Sequence, residues 1–275
     1  MDFGLFMMPL HPPRRSFADS YDRDTTLLVQ ADQLGYHEAW IGEHITETWE
    51  NAPVPELLIA KALARTERII LATGVTMLPL HHPVDTAHRI AMLDHMARGR
   101  FYWGIGVRSL PTDLHLYGVE YHSMDDVRER GKEALEVILG LWQAEDGHFR
   151  FEGKYYQVHA PEIDPTLGRR LYYQPYQKPH PPILIGGGGE KKTLLLVAKY
   201  ADATHCGSGP QNFRHKMDVL RGHCETVGRD FEEIERCTGL DAAPPDRRGD
   251  LARPELILQR ASALKEAGAQ ALFVV

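Results

Sequence analysis

The sequence predicts an α/β protein folded as a (β/α)8 barrel, also called a TIM barrel. Short β-rich runs alternate with helical patterns, eight such runs occur, and the 275-residue chain has about the length that this barrel needs. The predicted strands are residues 2–8, 38–42, 69–73, 101–106, 182–186, 202–206, 234–239 and 270–275. The predicted helices are residues 19–34, 55–66, 84–97, 125–142, 190–200, 211–226 and 253–267.

The ends of several helices carry the expected signals. Gly35 follows the first helix, where a glycine in the left-handed conformation is common. Ser123 and Asp126 have the spacing of an acidic capping box ahead of the fourth helix. Pro210 stands directly before the sixth helix, a favoured place for proline. These signals support an alternating strand and helix order.

Composition and charge exclude several functions. The net charge is -7 and the pI about 6.1, without a basic cluster, so the chain is expected to bind neither nucleic acid nor a membrane surface. No apolar run is long enough to span a bilayer, and no signal-peptide pattern opens the chain, so a cytoplasmic location is expected. The three cysteines lack CxxC spacing, which argues against disulfides or a zinc site.

Two features disturb a plain barrel, although residues 1–275 are predicted to form one domain. Residues 143–181 are too long for an ordinary connection and contain four tyrosines, at positions 155, 156, 172 and 173. We expect this insertion to act as a lid or binding loop. No eighth helix is evident after the last strand, which would leave an apolar flank for a partner subunit to cover unless the chain is shortened.

The second strand ends in an acid and an imidazole. The apolar run through Ile41 is followed by Gly42, Glu43 and His44. In barrels of parallel strands, chemistry takes place at the C-terminal ends of the strands. A histidine can exchange a proton near neutral pH. Glu43 and His44 are therefore candidate catalytic residues, and a solvated loop histidine is the plain alternative for His44.

The turn after the fifth strand is a candidate phosphate site. Four consecutive glycines, residues 186–189, precede Glu190 and the start of a helix that has Thr193 in its first turn. Glycines allow the backbone to approach a ligand, and a helix N-terminus offers free N–H groups. The pattern is neither a Walker A loop nor a Rossmann fingerprint. A flexible turn is the alternative.

The turn after the fourth strand offers a second anion-binding group. Gly106 is followed two residues later by Arg108, whose guanidinium could bind a phosphate bidentately. A turn with a surface arginine is the alternative. Adjacent His81 and His82 point to different sides and lack accompanying ligands, so no metal site is predicted. Ser208 does not stand in a GxSxG elbow, which argues against a serine hydrolase.

The chain resembles the bacterial luciferase-like superfamily of flavin-dependent monooxygenases. The resemblance is distributed from residue 3 to about residue 205. Its motifs are Phe3-Gly4-Leu5-Phe6, Ala39-Trp40-Ile41-Gly42-Glu43-His44, Leu78-Pro79-Leu80-His81-His82-Pro83, Leu93-Asp94-His95-Met96-Ala97-Arg98-Gly99-Arg100-Phe101, Gly104-Ile105-Gly106 and Pro179-His180-Pro181-Pro182.

This resemblance implies a barrel that binds reduced flavin at its C-terminal mouth. His44 matches the active-site histidine of the family. Gly74–Val75 matches a cis peptide that supports the isoalloxazine ring. Arg108 matches, or lies next to, a phosphate-binding arginine, and the phosphate-binding turn corresponds to Gly188, Gly189, Glu190 and Thr193.

The implied activity is that of a two-component monooxygenase. A separate flavin reductase would deliver diffusible reduced FMN, and its reaction with O2 to a C4a-(hydro)peroxyflavin would oxygenate a small apolar substrate. Residues 183–237 are more similar to the deazaflavin-dependent branch, which makes a hydride-transfer oxidoreductase the alternative, while Arg108 favours FMN. A non-catalytic flavin-binding subunit is the third possibility. A homodimer or heterodimer is expected in each case.

Overall fold

The computed structural model describes residues 1–144, 149–159, 174–207, 209–242 and 253–274. Its strands are β1 (Asp2–Met7), β2 (Glu38–Ile41), β3 (Ile70–Met77), β4 (Phe101–Gly106), β5 (Arg150–Glu152), β6 (Gln157–His159), β7 (Ile183–Gly186), β8 (Ala203–His205), β9 (Glu235–Leu240) and β10 (Ala271–Val274). Its helices are α1 (Phe17–Leu34), α2 (Pro55–Leu63), α3 (Pro83–Ala97), α4 (Pro111–Leu116), α5 (Met124–Gln143), α6 (Thr193–Tyr200), α7 (Pro210–Val227) and α8 (Pro254–Glu266).

Eight of these strands close into a barrel, as the sequence predicts. Around the barrel the order is β1, β2, β3, β4, β7, β8, β9 and β10, and every neighbouring pair is parallel. The strands β5 and β6 form a separate antiparallel hairpin. Because all barrel strands run the same way, their C-terminal ends gather at one mouth, and the turns that follow them become neighbours.

Side chains along each barrel strand point alternately into two layers of the core, one inside the barrel and one between the barrel and the helices. In β2, Trp40 lies inside the barrel with Ala72 and Phe273, whereas Ile41 packs outward against the helices. Successive side chains of a strand point to opposite faces, so a fully apolar strand supplies both layers. The predicted end signals of the helices are also present. Gly35 adopts a φ of 82°, and Ser123 and Asp126 form the capping box.

The structure also corrects the predicted elements. The sequence gives no sign of α4 or the hairpin β5–β6, because elements this short do not establish a clear period. Helix α6 begins at Thr193 rather than residue 190, since the glycine turn continues further than expected. Strand β3 continues to Met77 instead of ending at residue 73. A glycine inside an apolar run suggests a strand end, but here it lies at a bulge within the strand.

Part of the predicted insertion is docked against α5. The Glu133 carboxylate accepts hydrogen bonds from the backbone N–H groups of Lys154, Tyr155 and Tyr156, at 2.9, 2.7 and 2.6 Å. These three donors lie in the hairpin connection, so one side chain fixes its position. Tyr172 and Tyr173, which belong to the same predicted lid, lie outside the described residues.

The described part of the chain has further properties that bear on function. None of its helices combines the length and the apolar character needed to cross a bilayer. Its three cysteines are buried and unpaired. Among the described residues, no group of three or more His, Cys, Asp and Glu side chains is arranged to hold a metal ion.

Candidate active site

The predicted site residues come from the C-terminal ends of four consecutive barrel strands. Glu43 and His44 follow β2, the Gly74–Val75 pair lies in the second half of β3, Arg108 follows β4 and the glycine turn follows β7. Strands β4 and β7 are hydrogen-bonded neighbours, so the arginine turn and the glycine turn lie side by side. The barrel therefore brings all of these segments to one mouth.

The peptide bond between Gly74 and Val75 is cis, as the resemblance implies. It lies where the register between β3 and β4 shifts, because Thr73 pairs with Trp103 whereas Thr76 pairs with Ile105. Three steps along β3 thus match two along β4, which is a β-bulge. A Cβ on Gly74 would lie only 3.0 Å from the Trp40 Cβ, so the backbone approaches the barrel interior closely.

Two glycines, one at the end of β4 and one at the end of β7, leave room for the Val75 side chain. A Cβ at Gly106 would lie 2.7 Å from Val75 Cγ2, and one at Gly186 would lie 3.7 Å from Val75 Cγ1. Val75 is half-buried, whereas Gly74 and Thr76 on either side of it are buried. The bulge therefore presents one apolar side chain at the mouth, with glycines beside it on β4 and on β7, the next strand beyond β4.

Glu43 is held inside the protein rather than presented at the mouth. Its Oε2 accepts a hydrogen bond from the backbone N–H of Met77 at 2.9 Å, and its Oε1 lies 2.6 Å from His81 Nε2. The side chain is 1% exposed. Both carboxylate oxygens are thus engaged, and they tie the end of β2 to the end of β3.

His44 has the opposite environment. Its Nδ1 atom is buried and has no hydrogen-bond partner among the described residues. Its Nε2 atom lies 3.9 Å from Glu50 Oε2, and the side chain is 23% exposed. Leaving a buried polar atom unpartnered costs free energy, which makes Nδ1 of His44, at the barrel mouth, a candidate contact for a ligand.

The glycine turn leads directly into the N-terminus of α6. Gly187 has a φ of 112°, a conformation that favours glycine. A Cβ on Gly189 would approach Thr193 Oγ1 to 2.7 Å, so a larger residue would force the turn away from the helix. Thr193 is the first helical residue and is buried. The turn forms a backbone cradle at a helix N-terminus, where an anion is stabilised.

Glu190 is directed toward α7 instead of toward that cradle. Its carboxylate lies 2.6 Å from Lys216 Nζ and 3.0 Å from His215 Nε2. The hydrogen bond from Lys216, followed by that from His215, holds the pKa of Glu190 below its usual value. The side chain is therefore anionic and paired with α7, so only the backbone of Glu190 could contribute to binding an anion.

Arg108 provides a cation beside the cradle. Its side chain is exposed, and within the described ranges no residue hydrogen-bonds to it or forms an ion pair with it. Of the lysines near the turn, Lys216 is paired with Glu190 and Lys192 with Asp125. The Arg108 guanidinium therefore has no partner among the described residues and is open to solvent.

The sequence analysis missed His205, the last residue of β8. Its ring lies inside the barrel and is nearly parallel to the rings of Phe6 and Phe273, with centroid distances of 6.0 and 5.2 Å and interplanar angles of 9° and 5°. Its Nε2 atom is buried without a partner in the described part of the chain. Its place at the end of a predicted strand is the signal that could have singled it out.

The comparisons with known proteins agree with this geometry. The family model described as luciferase-like monooxygenase matches residues 1–259. A curated relative, the 4-hydroxyprotoasukamycin monooxygenase of Streptomyces nodosus subsp. asukaensis, is 36% identical over 240 residues. The match covers 83% of this chain, and the chain spans 62% of that relative's length.

Solved structures share the fold at low sequence identity. The oxygenating constituent of 3,6-diketocamphane monooxygenase from Pseudomonas putida, a type II Baeyer-Villiger monooxygenase in complex with FMN, superposes with a TM-score of 0.85 at 22% identity. The match covers 100% of this chain and 91% of that one. An F420-dependent secondary alcohol dehydrogenase superposes with a TM-score of 0.78 at 16% identity, covering 99% and 92% of the two chains.

Proposed function

Because the chain belongs to the luciferase-like monooxygenase family, we propose that it binds reduced FMN at the barrel mouth and oxygenates a small apolar substrate with O2. The observation that carries this proposal is the glycine cradle at the N-terminus of α6, with Arg108, which has no partner among the described residues, after the neighbouring strand. Together they offer backbone donors and one guanidinium to a phosphate.

Residues at the barrel mouth can be matched to both the phosphate and the ring of FMN. The phosphate would be held by the backbone around Gly188 and Gly189, the Thr193 hydroxyl and Arg108. The ring would lie against the Gly74–Val75 bulge, where small neighbouring residues leave space beside Val75. Reduced FMN supplies the electrons that activate O2, and the protein orients it and excludes water.

His44 is the group proposed to move a proton. The Glu50 carboxylate, 3.9 Å from Nε2, favours a proton on that nitrogen. Nδ1 is then left with its lone pair in the buried position, where it can accept a proton from a reacting oxygen and return it. Glu43 does not take part directly, but it holds β3 in register beside His44 through Met77 and His81.

The same proposal includes two kinds of protein partner. The oxygenating constituent named above supports a separate flavin reductase as the source of reduced FMN. A dimer is supported by exposed apolar side chains on α2 and α3, two helices that pack together. These side chains are Leu57, Met92 and Met96.

The test is an anaerobic binding titration with reduced FMN, reduced riboflavin and a reduced deazaflavin coenzyme. We expect tightest binding of FMN, with riboflavin weaker because it lacks the phosphate. Gly189→Ala should weaken FMN binding about tenfold and leave riboflavin binding unchanged, because the added Cβ closes the cradle. Gly222→Ala is the matched control, since a Cβ there meets nothing within 4 Å.

Each of the other possible results would argue against part of this proposal. Preference for the deazaflavin would contradict the FMN proposal and support hydride transfer. Tight FMN binding without substrate-dependent uptake of O2 would support the non-catalytic subunit. Equal binding of FMN and riboflavin would show that the cradle does not hold a phosphate.

A further inference from the structure

His11, in the connection between β1 and α1, is a buried histidine with a partner at each ring nitrogen. Its Nε2 lies 2.7 Å from Asp24 Oδ2 on α1, and its Nδ1 lies 2.8 Å from Asn51 Oδ1. The residue is 1% exposed, and the rings of Phe17 and Tyr21 pack against it edge-on. The imidazole therefore joins α1 to the loop after β2 in the protein interior.

The contacts of His11 with that loop, residues 42–54, fall on either side of Glu50. The His11 backbone N–H donates to the carbonyl oxygen of Trp49 at 2.6 Å, and its ring contacts Asn51. Leu10 pairs with Glu50 itself in an antiparallel bridge. Residues 10 and 11 thus fix the backbone of residues 49–51, and this limits where the Glu50 side chain can lie.

The loop then returns to its own start at His44. His44 pairs with Ala52 in a second antiparallel bridge, and Glu50 Oε2 lies 3.9 Å from His44 Nε2. The Glu50 side chain is 38% exposed, so burial does not hold it against the imidazole. Its distance from His44 depends instead on the backbone that carries it, which His11 fixes.

Asp24 determines the orientation of the His11 ring. A carboxylate only accepts hydrogen bonds, so the hydrogen in this contact belongs to Nε2. Asp24 is 3% exposed, and turning the ring away would leave a buried carboxylate unpaired, which is costly. The ring is therefore held with Nδ1 toward Asn51. Helix α1 provides the base from which the loop is positioned.

We propose that His11 is a positioning residue that, through residues 49–51, holds the Glu50 carboxylate beside Nε2 of His44. This contact keeps the proton of a neutral His44 on Nε2 and the lone pair on Nδ1. The inference rests on the proposed function for its meaning in turnover, but not for its effect on the His44 tautomer. If His11 only joined α1 to the barrel, its loss would change stability and leave that tautomer as it is.

The test measures the tautomer of His44 in the full chain by long-range ¹H–¹⁵N NMR at about pH 9, where ordinary histidines are neutral. The resonances are assigned by their loss in His44→Ala. We expect mainly the Nε2–H form in the wild type. Glu50→Gln should lower the ratio of Nε2–H to Nδ1–H about twofold to fivefold, the size of one partly exposed charge contact.

Asn51→Ala is the deciding variant. It leaves His11 paired with Asp24 and leaves the Glu50 and His44 side chains unchanged, yet it should lower the ratio about as much as Glu50→Gln. In the Glu50→Gln background it should have no further effect, because the contact acts only through the Glu50 carboxylate. His11→Phe keeps an aromatic ring in place and removes both side-chain hydrogen bonds, so it should also lower the ratio.

Two variants on α1 separate positioning from stability. Asp24→Asn keeps an acceptor for the His11 ring and should retain more of the wild-type ratio than Asp24→Ala. Thr25→Val is the control, since Thr25 is buried on the same helix and its hydroxyl donates to the Tyr21 carbonyl oxygen of that helix. It should change stability and leave the tautomer ratio unchanged.

The results distinguish the positioning role from the proposed function. Mainly Nδ1–H in the wild type would overturn the positioning role, and so would a wild-type ratio in Asn51→Ala. An equal decrease on adding Asn51→Ala to Glu50→Gln would also overturn it. Substrate-dependent uptake of O2 with reduced FMN should fall together with the ratio. A wild-type protein with the expected tautomers but no such uptake would overturn the proposed function alone.

Discussion

The two ends of the barrel contain different kinds of buried ionisable side chain. At the C-terminal mouth, His44 and His205 each leave a buried nitrogen unpartnered within the described residues. At the N-terminal end, burial, followed by the nearby carboxylates of Glu235 and Asp2, raises the pKa of Glu38 to about 8. An imidazole becomes neutral at little cost, whereas a buried carboxyl group must keep its proton to avoid a buried charge.

We expect the imidazoles at the mouth to affect function and the carboxyl group at the other end to affect stability. An unpartnered imidazole beside a cavity or a glycine cradle can be completed by a ligand, so the mouth is suited to binding. The Glu38 side chain is enclosed by Gly4 and the first layer of the barrel, with 2% of the residue exposed, so no ligand can complete it. The protonation of Glu38 should therefore make the free energy of unfolding depend on pH.

The largest effect is expected for His44→Ala at the mouth. Removing the imidazole should lower turnover by about a hundredfold or more, because the proton acceptor is lost. The affinity for reduced FMN should stay within about twofold, since His44 is distant from the phosphate cradle in the strand order. Turnover is measured as substrate-dependent uptake of O2 with reduced FMN supplied. His115→Ala, an exposed histidine on α4, is the control, and wild-type turnover in His44→Ala would remove His44 from the mechanism.

At the opposite end, Glu38→Gln should change how stability depends on pH. The pKa of Glu38 in the folded protein is raised, so the native state binds more protons than the unfolded state between the ordinary glutamate pKa and about 8. The free energy of unfolding therefore falls as pH rises through this range, by about 1.4 kcal/mol per pH unit for one group. Glutamine removes this contribution, so the variant should be the more stable protein near pH 8.

Urea denaturation between about pH 5 and about pH 8 measures this slope. Glu232→Gln is the matched control, because Glu232 lies near the same end but is exposed and paired with Arg236. Its loss should change stability by less than about 1 kcal/mol at every pH. Parallel pH profiles for Glu38→Gln and the wild type would show that Glu38 ionises normally.

The smallest effect on turnover is expected for Glu43→Gln, although this residue adjoins His44. Replacing the carboxylate weakens its contact with His81 and should lower stability by about 1–3 kcal/mol. Turnover should fall less than about tenfold, because Glu43 only positions the end of β3. Glu47→Gln, exposed in the same loop, is the control. A loss of turnover as large as that of His44→Ala, with unchanged stability, would restore Glu43 as a catalytic residue.

Much of this architecture is predictable from local sequence patterns. The eight apolar runs identify the barrel strands, because fully buried parallel strands have no polar face. The ends of these runs identify Glu43, His44 and the glycine turn as mouth residues. The short helix α4 and the hairpin β5–β6 escape such an analysis, since their stability comes from contacts such as Glu133 with the hairpin backbone.

The sequence by itself determined the barrel order and which segments reach the mouth, because both follow from the spacing of apolar runs and turn residues along the chain. Only the tertiary structure decided what each side chain does there. Glu43 is enclosed by contacts from β3 and the turn after it, Val75 gains its space from Gly106 and Gly186, and His205 is fixed by rings from β1 and β10. These partners lie far apart in sequence, so burial and hydrogen bonding at the site depend on the closed barrel.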